Sequence, residues 1–360
     1  TVRPQGMGFN TGRRNLIING AMQVAQRGTS FSSISSAAYP VDRFFVQDVN
    51  SAAGEATVSQ STTAPDDFIN SLKIDVTTAD TSLVAADQYK IEHRIEGQNI
   101  SHLNCGTSAA KTVTLSFWIR SNKTGNTQVA LLNSANDRSY VATFTIDAAD
   151  TWEKKELTVA GDTSGTWLTT NGIGLRLRWG SYGSTYQTSS TDQWIGSQAM
   201  SRDDSPINFF DSTDNELYIT GVQLEVGSNA SDFEHRSYGE ELSACQRYCH
   251  VLTREGSSAN QNIGIGYWAS STSVETYTKF PTSMRAAPTA SATTIGEFYA
   301  LIPQQAWNAA SAVALNEVGT SGCKLTWTVA SNGSFGTDGR RSSMVGARGD
   351  SAKLTFDSEL

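Results

Sequence analysis

Residues 112–120 read TVTLSFWIR, and this stretch decides the fold class. Its apolar side chains occupy every second position: Val113, Leu115, Phe117 and Ile119. This two-residue period, in β-branched and aromatic residues, is typical of a strand with one buried face. A strand whose buried face is so apolar needs a second sheet to cover it, so the stretch predicts a β-sandwich.

The same period recurs along the first two-thirds of the chain. Residues 89–96 (YKIEHRIE) place apolar side chains and His93 on one face and charges of alternating sign on the other, which predicts a solvated outer face. Residues 173–179 (IGLRLRW) repeat the design, and residues 216–226 (ELYITGVQLEV) change phase at Gly221, where a β-bulge is expected. Residues 15–236 are therefore predicted to form one antiparallel sandwich.

A helical pattern interrupts the strands at residues 237–252 (SYGEELSACQRYCHVL). Acidic residues come early and basic residues late, which suits the helix dipole. Strand patterns then return over residues 253–360. The predicted domain order is an N-terminal arm (1–14), a β-sandwich (15–236), a helical linker (237–252) and a second, smaller β-sandwich (253–360), which makes the chain all-β.

The composition argues against several classes of partner. Charged residues make up 17% of the chain, below the roughly 25% of average domains. The net charge is −8 and Lys and Arg do not cluster in the sequence, so neither nucleic acid nor an anionic membrane surface is expected as a partner. No run approaches the length of a membrane span or has a signal-peptide core, which predicts no membrane insertion and no secretion signal. The four cysteines show no CxxC spacing, and a reduced state of these cysteines fits assembly in a cytoplasm.

Several motifs resemble one family in their order and spacing. They are RNLIINGAMQVAQRG, YPVDRF, RIEGQNI, TVTLSFWIR, ADTW, GDTSGTWLTTNGIG and ITGVQLEVGSNASDFEHRSYGEELSACQRY, spanning about residues 13–250. The chain resembles tail-fibre and related appendage proteins of bacteriophages, and its end, with FPTSMRAAPT and LTFDSEL, resembles the small β domain that often follows in that family. The resemblance implies a jelly-roll sandwich like that of carbohydrate-binding modules, on a homotrimeric virion appendage that is assembled in the host cytoplasm and touches the host surface.

One departure from the family concerns attachment to the virion. Such modules often follow a long anchoring region, whereas about fourteen residues precede the match here. We therefore expect other phage tail or capsid proteins as partners, either through a short anchor in residues 1–14 or through another protein that docks this one.

Aromatic residues in polar loops are the candidate ligand-binding residues. A sugar ring packs its C–H face on an aromatic plate while nearby amides and hydroxyls bond its hydroxyl groups. Two groups fit this pattern, Tyr182, Tyr186 and Trp194 in a Ser/Gly/Thr-rich loop and Tyr267, Trp268 and Trp307 in the C-terminal domain. The alternative is that these rings fold back onto the sandwich or onto the trimer seam.

No catalytic set is recognised, and the chain is predicted not to be an enzyme. A loop cluster of carboxylates, which would suit glycan cleavage, is more typical of solvated turns: Asp203, Asp204, Asp211 and Asp214. Cys245, Cys249 and His250 are too few to make a convincing metal site. We expect no metal site and no cofactor, with a structural Ca²⁺ ion left open.

The function hypothesis is a non-catalytic tail-fibre subunit that recognises a host cell-surface polysaccharide. Many weak contacts in a homotrimer would together hold the virion to the cell. Three alternatives stay open: a structural capsid-decorating or tail-assembly protein, a polysaccharide depolymerase, and a carbohydrate-binding module of a cellular enzyme.

Overall fold

The computed structural model describes residues 13–34, 37–49, 53–253, 260–301, 307–330, 342–348 and 352–360. Apart from its last two residues, the predicted docking arm lies outside them. The chain divides into two compact units, Thr1–Glu241 together with Leu360, and Leu242–Glu359.

The regular secondary structure of the N-terminal unit is almost entirely strand. Its described strands, β1 to β15 in chain order, are Ser30–Phe31, Ala38–Val41, Phe44–Val49, Glu55–Ser61, Ser71–Thr78, Gln88–Glu96, Val113–Ser121, Gly125–Leu132, Ser139–Ile146, Glu153–Val159, Ile173–Tyr182, Gln187–Thr188, Trp194–Ile195, Ser201–Arg202 and Glu216–Val226. One short helix, α1 (Gly97–Ile100), runs into a 3₁₀ turn at Ser101–Leu103, and a second 3₁₀ turn lies at Ser184–Tyr186.

These strands form two large antiparallel sheets that face each other. The six-stranded sheet has the order β1-β4-β5-β15-β7-β10, and the seven-stranded sheet has the order β13-β9-β8-β11-β6-β3-β2. A small parallel pair, β12-β14, lies beside them. From β5 to β11 the chain crosses repeatedly from one sheet to the other, as in a jelly roll, so the predicted all-β sandwich is confirmed.

The core lies between the two sheets, and β7 crosses its middle. The alternating apolar side chains of this strand are all buried, with Phe117 at 0% exposure. The Phe117 ring packs in T-shaped geometry with two rings from the opposite sheet, Phe144 at 5.3 Å and Trp179 at 5.6 Å between centroids. The period-2 pattern of residues 112–120 therefore predicted the buried face correctly.

The predicted bulge at Gly221 is also confirmed, and it explains the N-terminal segment. The register of β15 with β7 shifts between Thr220 and Gln223, and Gly221 has φ +61°, a conformation that favours glycine. Beyond the bulge, residues 16–20 border β15 in place of β5. The Leu16 N–H donates to the Leu224 carbonyl, and the Val222 N–H donates to that of Gly20, both at 2.9 Å.

A buried asparagine holds this segment in its turn. Asn19 is 0% exposed and has φ 62°, which Asn tolerates better than most residues. Its amide donates to the carbonyls of Val24 (2.9 Å) and Asp42 (2.8 Å), and its side-chain oxygen accepts from the Val24 N–H (3.0 Å). The NG dipeptide of the RNLIINGAMQ motif therefore forms a turn in which the side-chain amide of Asn19 is hydrogen-bonded through both its nitrogen and its oxygen.

The C-terminal unit differs from the predicted second sandwich. Its described strands, β16 to β24, are Cys249–Thr253, Asn260–Ser270, Ser273–Lys279, Thr289–Thr293, Phe298–Leu301, Trp307–Asn316, Gly322–Val329, Ser342–Arg348 and Lys353–Asp357. Six of them close into a barrel in the order β17-β18-β22-β21-β20-β23, and the other three form a sheet, β16-β24-β19. Closure of a barrel pairs the two edge strands of the sheet with each other, so no edge is left unpaired. The alternation of apolar and polar residues along single strands does not predict this closure.

The predicted helix of residues 237–252 is present only in its first part. Helix α2 spans Tyr238–Gln246, and Cys249–Thr253 is strand β16, paired with β24 from Cys249↔Asp357 onward. The i, i+3, i+7 spacing that ends at Cys249 suggested a longer helix. The β-branched residues that follow it favour a strand, and β24 supplies its partner.

Core packing predicts a contrast between two isoleucines of the N-terminal unit. Ile119 in β7 is 2% exposed, whereas Ile69 is 71% exposed. We expect Ile119→Ala to lower the free energy of unfolding by about 2–5 kcal/mol because it leaves a cavity between the sheets. The control Ile69→Ala should change it by less than about 0.5 kcal/mol. Denaturant unfolding followed by tryptophan fluorescence tests this, and equal effects of the two substitutions would contradict the assignment of the core.

Candidate functional site

Tyr182, the first candidate of the aromatic loop, lies inside the protein. It ends β11, is 1% exposed, and its hydroxyl donates to the Trp179 carbonyl at 3.2 Å. It belongs to an apolar layer on the outer face of the seven-stranded sheet, made by Ala130, Leu132, Val141, Tyr182, Ala199 and Met200. The loop after β11 returns over the sheet, so the Tyr182 ring has no face left for a sugar. The prediction of Tyr182 as a ligand-binding residue was therefore wrong.

Tyr186 and Trp194 are half-buried and differ in their surroundings. Tyr186 packs beside the same apolar layer. Trp194, in edge strand β13, meets Tyr140 at 5.5 Å and Trp167 at 5.4 Å between ring centroids, both edge to face. Its indole N–H donates to the Ala160 carbonyl at 2.6 Å. Trp167 and Trp194, here called the indole pair, thus form a partly exposed aromatic cluster at one edge of the sandwich.

Charged groups hold the loops around the indole pair. Arg138 donates to Asp162 through two bonds, from Nε at 2.8 Å and from Nη2 at 2.6 Å. A Cβ atom on Gly165, which has φ +78°, would lie 2.5 Å from Arg138 Cγ, so the loop that carries Trp167 crosses this side chain as closely as glycine allows. The indoles are therefore held in place before any ligand arrives, which lowers the entropic cost of binding.

The candidates of the C-terminal unit have different fates. Trp268 is 1% exposed within the barrel core, so it offers no surface to a ligand, which corrects that prediction too. Tyr267 is half-buried and its hydroxyl donates to Glu275 Oε2 at 2.5 Å. Trp307 begins β21, but its side chain lies outside the described residues, so its role stays a prediction. Tyr277, which the sequence reading missed, is 65% exposed.

A cluster of charges on the outer face of the seven-stranded sheet was also missed. The carboxylate of Glu92 on β6 is surrounded by four cationic side chains, here called the cationic cluster: Lys90 and Arg94 of β6, and Arg176 and Arg178 of β11. Arg94 Nε (2.5 Å) and Arg176 Nη1 (2.7 Å) donate to Oε1 of Glu92, and Arg178 Nε donates to Oε2 (2.8 Å). Lys90 Nζ lies 3.9 Å from Oε2. Four cations therefore share one carboxylate.

This face is sheltered, although its alternating charges predicted a solvated one. The side chain of Glu92 is 0% exposed, and those of Arg178, Lys90, Arg176 and Arg94 are 5%, 9%, 12% and 20% exposed. The signal in the sequence was incomplete because the four cations lie on two strands some eighty residues apart. Only the pairing of Arg176 with Arg94 and of Arg178 with Glu92 brings them together.

Burial and mutual repulsion shift the ionisation of the cluster. Burial by itself would raise the pKa of Glu92, but the charges of Arg178, Arg94 and Arg176 lower it to about 2. Burial, followed by repulsion from Arg178, lowers the pKa of Lys90 to about 8 despite the attraction of Glu92. At neutral pH the cluster carries a local surplus of positive charge in a chain whose net charge is −8.

The acidic loop shows no general acid among its ion-paired members. Asp204 is hydrogen-bonded to Arg202, which lowers the pKa of Asp204. For Asp211, burial is outweighed by hydrogen bonds from Lys123 and Asn215, which lower its pKa. A general acid of a glycosidase needs a raised pKa, so neither carboxyl suits that role.

Within the described ranges, no group of three or more His, Cys, Asp or Glu side chains is arranged to hold a metal ion. The expectation of no metal and no cofactor stays a prediction, and a structural Ca²⁺ ion stays open. Of the helices that the structure describes, none has the length and apolar character needed to cross a membrane.

Comparisons with known proteins give low similarity. No family model matches the chain, and no curated protein does either. Three similar solved structures are the bacteriophage CBA120 tailspike protein 4 enzymatically active domain (12% identity, 59% of this chain and 21% of that chain, TM-score 0.29), a CBM4 structure (10%, 58% and 98%, 0.31) and the CBM22-2 xylan-binding domain from Paenibacillus barcinonensis Xyn10C (16%, 51% and 92%, 0.30). At these identities and TM-scores no family is assigned to the chain.

The lowered pKa of Lys90 predicts how stability depends on pH. Between pH 8 and 10.5 the folded protein has lost the Lys90 proton while the unfolded chain keeps it, so wild-type stability rises with pH over that window. We expect Lys90→Met to unfold at a higher temperature than wild type at pH 7, with an advantage that is constant below pH 8 and lost by pH 10.5. Calorimetry at several pH values measures this.

The control for this prediction is Lys154→Met, at a lysine that is 36% exposed on the other sheet. It should leave the pH dependence of stability as in wild type. A Lys90→Met protein less stable than wild type at pH 7 would show that the Glu92 ion pair outweighs the cost of burial.

Proposed function

We propose that this chain is a non-catalytic subunit of a bacteriophage tail fibre that binds a polysaccharide on the host cell surface. The observation that carries the glycan-binding part is the indole pair, Trp167 and Trp194, half-exposed at the edge of the N-terminal sandwich. An indole that is fixed in place and partly open can stack on the C–H face of a sugar.

Polar groups around the indole pair support the same ligand class. Asp137 and Thr166 are exposed, and the amide of Asn133 donates to Asp137 Oδ1 at 2.6 Å and to the Thr166 carbonyl at 3.1 Å. Sugar hydroxyl groups both donate and accept hydrogen bonds, so carboxylate, hydroxyl and carbonyl oxygens next to an aromatic plate suit them.

The virion part of the proposal rests on the sequence resemblance over about residues 13–250. In this proposal the chain acts as a homotrimer, so each fibre presents three copies of the site. Shallow sites bind weakly one by one, and three linked copies raise the apparent affinity without new contacts. The chain would dock on other phage tail or capsid proteins.

Trp194→Ala tests the glycan site. Loss of the stacking ring should lower the apparent affinity for the bound glycan by at least about tenfold, which corresponds to about 1.4 kcal/mol. A glycan array and adsorption of labelled protein to cells measure the loss. The matched control is Trp152→Ala, at the residue just before β10 of the other sheet, a half-buried tryptophan that packs edge to face with Tyr218 at 6.1 Å. It should bind as wild type does, and thermal unfolding of both variants shows whether the fold persists.

Other outcomes identify the other function classes. A trimer that binds neither glycans nor cells would favour a structural virion component. Release of reducing ends from a bacterial polysaccharide would favour a depolymerase. Equal binding by the Trp194→Ala protein and wild type would remove the indole pair from the site.

A further inference from the structure

The cationic cluster has more positive charge than its own surroundings neutralise. Glu92 is the one side-chain carboxylate paired with it among the described residues, so four cationic side chains face one anionic side chain. Two further acceptors are not acidic side chains: Arg178 Nη1 donates to the Met200 sulfur at 3.0 Å, and Arg94 donates to the main-chain oxygen of Leu360, which groups with the same unit. The neutral thioether of Met200 satisfies an N–H group but cancels no charge.

We propose that the cationic cluster binds the carboxylate of an acidic polysaccharide, that is, one built with uronate units. This is a second site on the chain. It rests on the proposed function only in taking the ligand to be a glycan. Strand β6 lies four strands away from β13 in the sheet order, so the cluster and the indole pair can be tested separately.

An incomplete set of hydrogen bonds points to the same ligand chemistry. Arg176 Nη1 is bonded to Glu92, but its Nε is buried and has no hydrogen-bond partner within the described part of the chain. Nε and Nη2 form one edge of a guanidinium group, and the two oxygens of a carboxylate match that edge. A planar carboxylate at this position would satisfy the buried donor and reduce the surplus charge together.

The position of the cluster strengthens its attraction for an anion. All four cationic side chains are sheltered yet keep 5–20% of their surface exposed, so a ligand can reach them in a medium of lower polarity than bulk water. Phe45, on the neighbouring strand β3, lies under the guanidinium of Arg94 at 4.7 Å and closes one side. An exposed ion pair is worth little by comparison.

The charged groups nearby determine how binding depends on pH. The charges that act on Lys90 are those of Arg178, Glu92, Arg94 and Arg176. On β3 the residue opposite Lys90 is Gln47, which does not titrate, and Glu96 farther along β6 accepts a hydrogen bond from Gln98. Lys90, with a pKa lowered to about 8, is therefore the group whose titration should weaken anion binding as pH rises.

Titration of the intact protein with polygalacturonate, monitored by calorimetry, tests the proposal. Neutral dextran, dextran sulfate and poly-glutamate serve as comparison polymers. We expect polygalacturonate to bind and the other three to bind at least about tenfold more weakly, with affinity falling between pH 7 and pH 9. The net charge of −8 repels polyanions in general, so binding reports a local site.

Two variants of the cluster locate the site. Lys90→Met keeps all three hydrogen bonds to Glu92 and should lower the affinity for polygalacturonate about tenfold at pH 7 and remove its change between pH 7 and pH 9. Arg176→Lys keeps the charge but loses the two-pronged edge, and it too should weaken binding. Lys154→Met, the matched control on the other sheet, should bind as wild type does.

Several results would overturn the proposal. The first two are polygalacturonate binding no tighter than dextran, and equal losses of polygalacturonate affinity in Lys90→Met and Lys154→Met. Dextran sulfate binding as tightly as polygalacturonate would indicate a general polyanion site. Poly-glutamate binding as tightly as polygalacturonate would indicate an acidic protein partner. Trp194→Ala separates the two proposals, because it should leave polygalacturonate binding unchanged even if it abolishes binding of the glycan found on the array.

Discussion

The contact of Phe117 with Phe144 and Trp179 joins the two sheets of the N-terminal unit, and the rest of that unit depends on it. Each sheet has one apolar face, and neither face is stable in water alone. Once the inner faces are used in this way, all recognition has to occur on outer faces, edges and loops. Both candidate sites lie in such places, the indole pair at an edge and the cationic cluster on an outer face.

The outer face of the seven-stranded sheet is divided between two environments. Over β8, β9 and the end of β11 it is covered by the returning loop, whose Met200 and Ala199 pack on Leu132 and its neighbours. Over β6 and the middle of β11 it carries the cationic cluster. Arg178 touches both parts, since it donates to Glu92 and to Met200. The cluster is thus sheltered from the side by an apolar layer, and this is why its charges interact strongly.

Much of the fold could be predicted from the sequence because it follows from short-range patterns. Alternation over residues 112–120 located a strand and its buried face, and the phase change at Gly221 located a bulge. The errors came where a pattern depends on a distant partner. The sequence pattern predicts a helix over residues 249–252 because their pairing with β24 is not a local property, and closure of the C-terminal barrel likewise depends on strand neighbours far apart in the chain.

By itself, the sequence determined which segments are strands, which of their faces are apolar and which polar loops contain aromatic rings. Only the tertiary structure decided which rings stay accessible, since the sequence pattern predicted Tyr182 and Trp194 in one loop, whereas Tyr182 ends β11 and is buried and Trp194 lies in β13 and is half-exposed. It also decided that Lys90 and Arg94 face Arg176 and Arg178. The physical reason is that hydrophobic periodicity is a property of residues close together in the chain. The burial of a side chain and the excess of positive charge in a cluster depend on which strands become neighbours in the sheet.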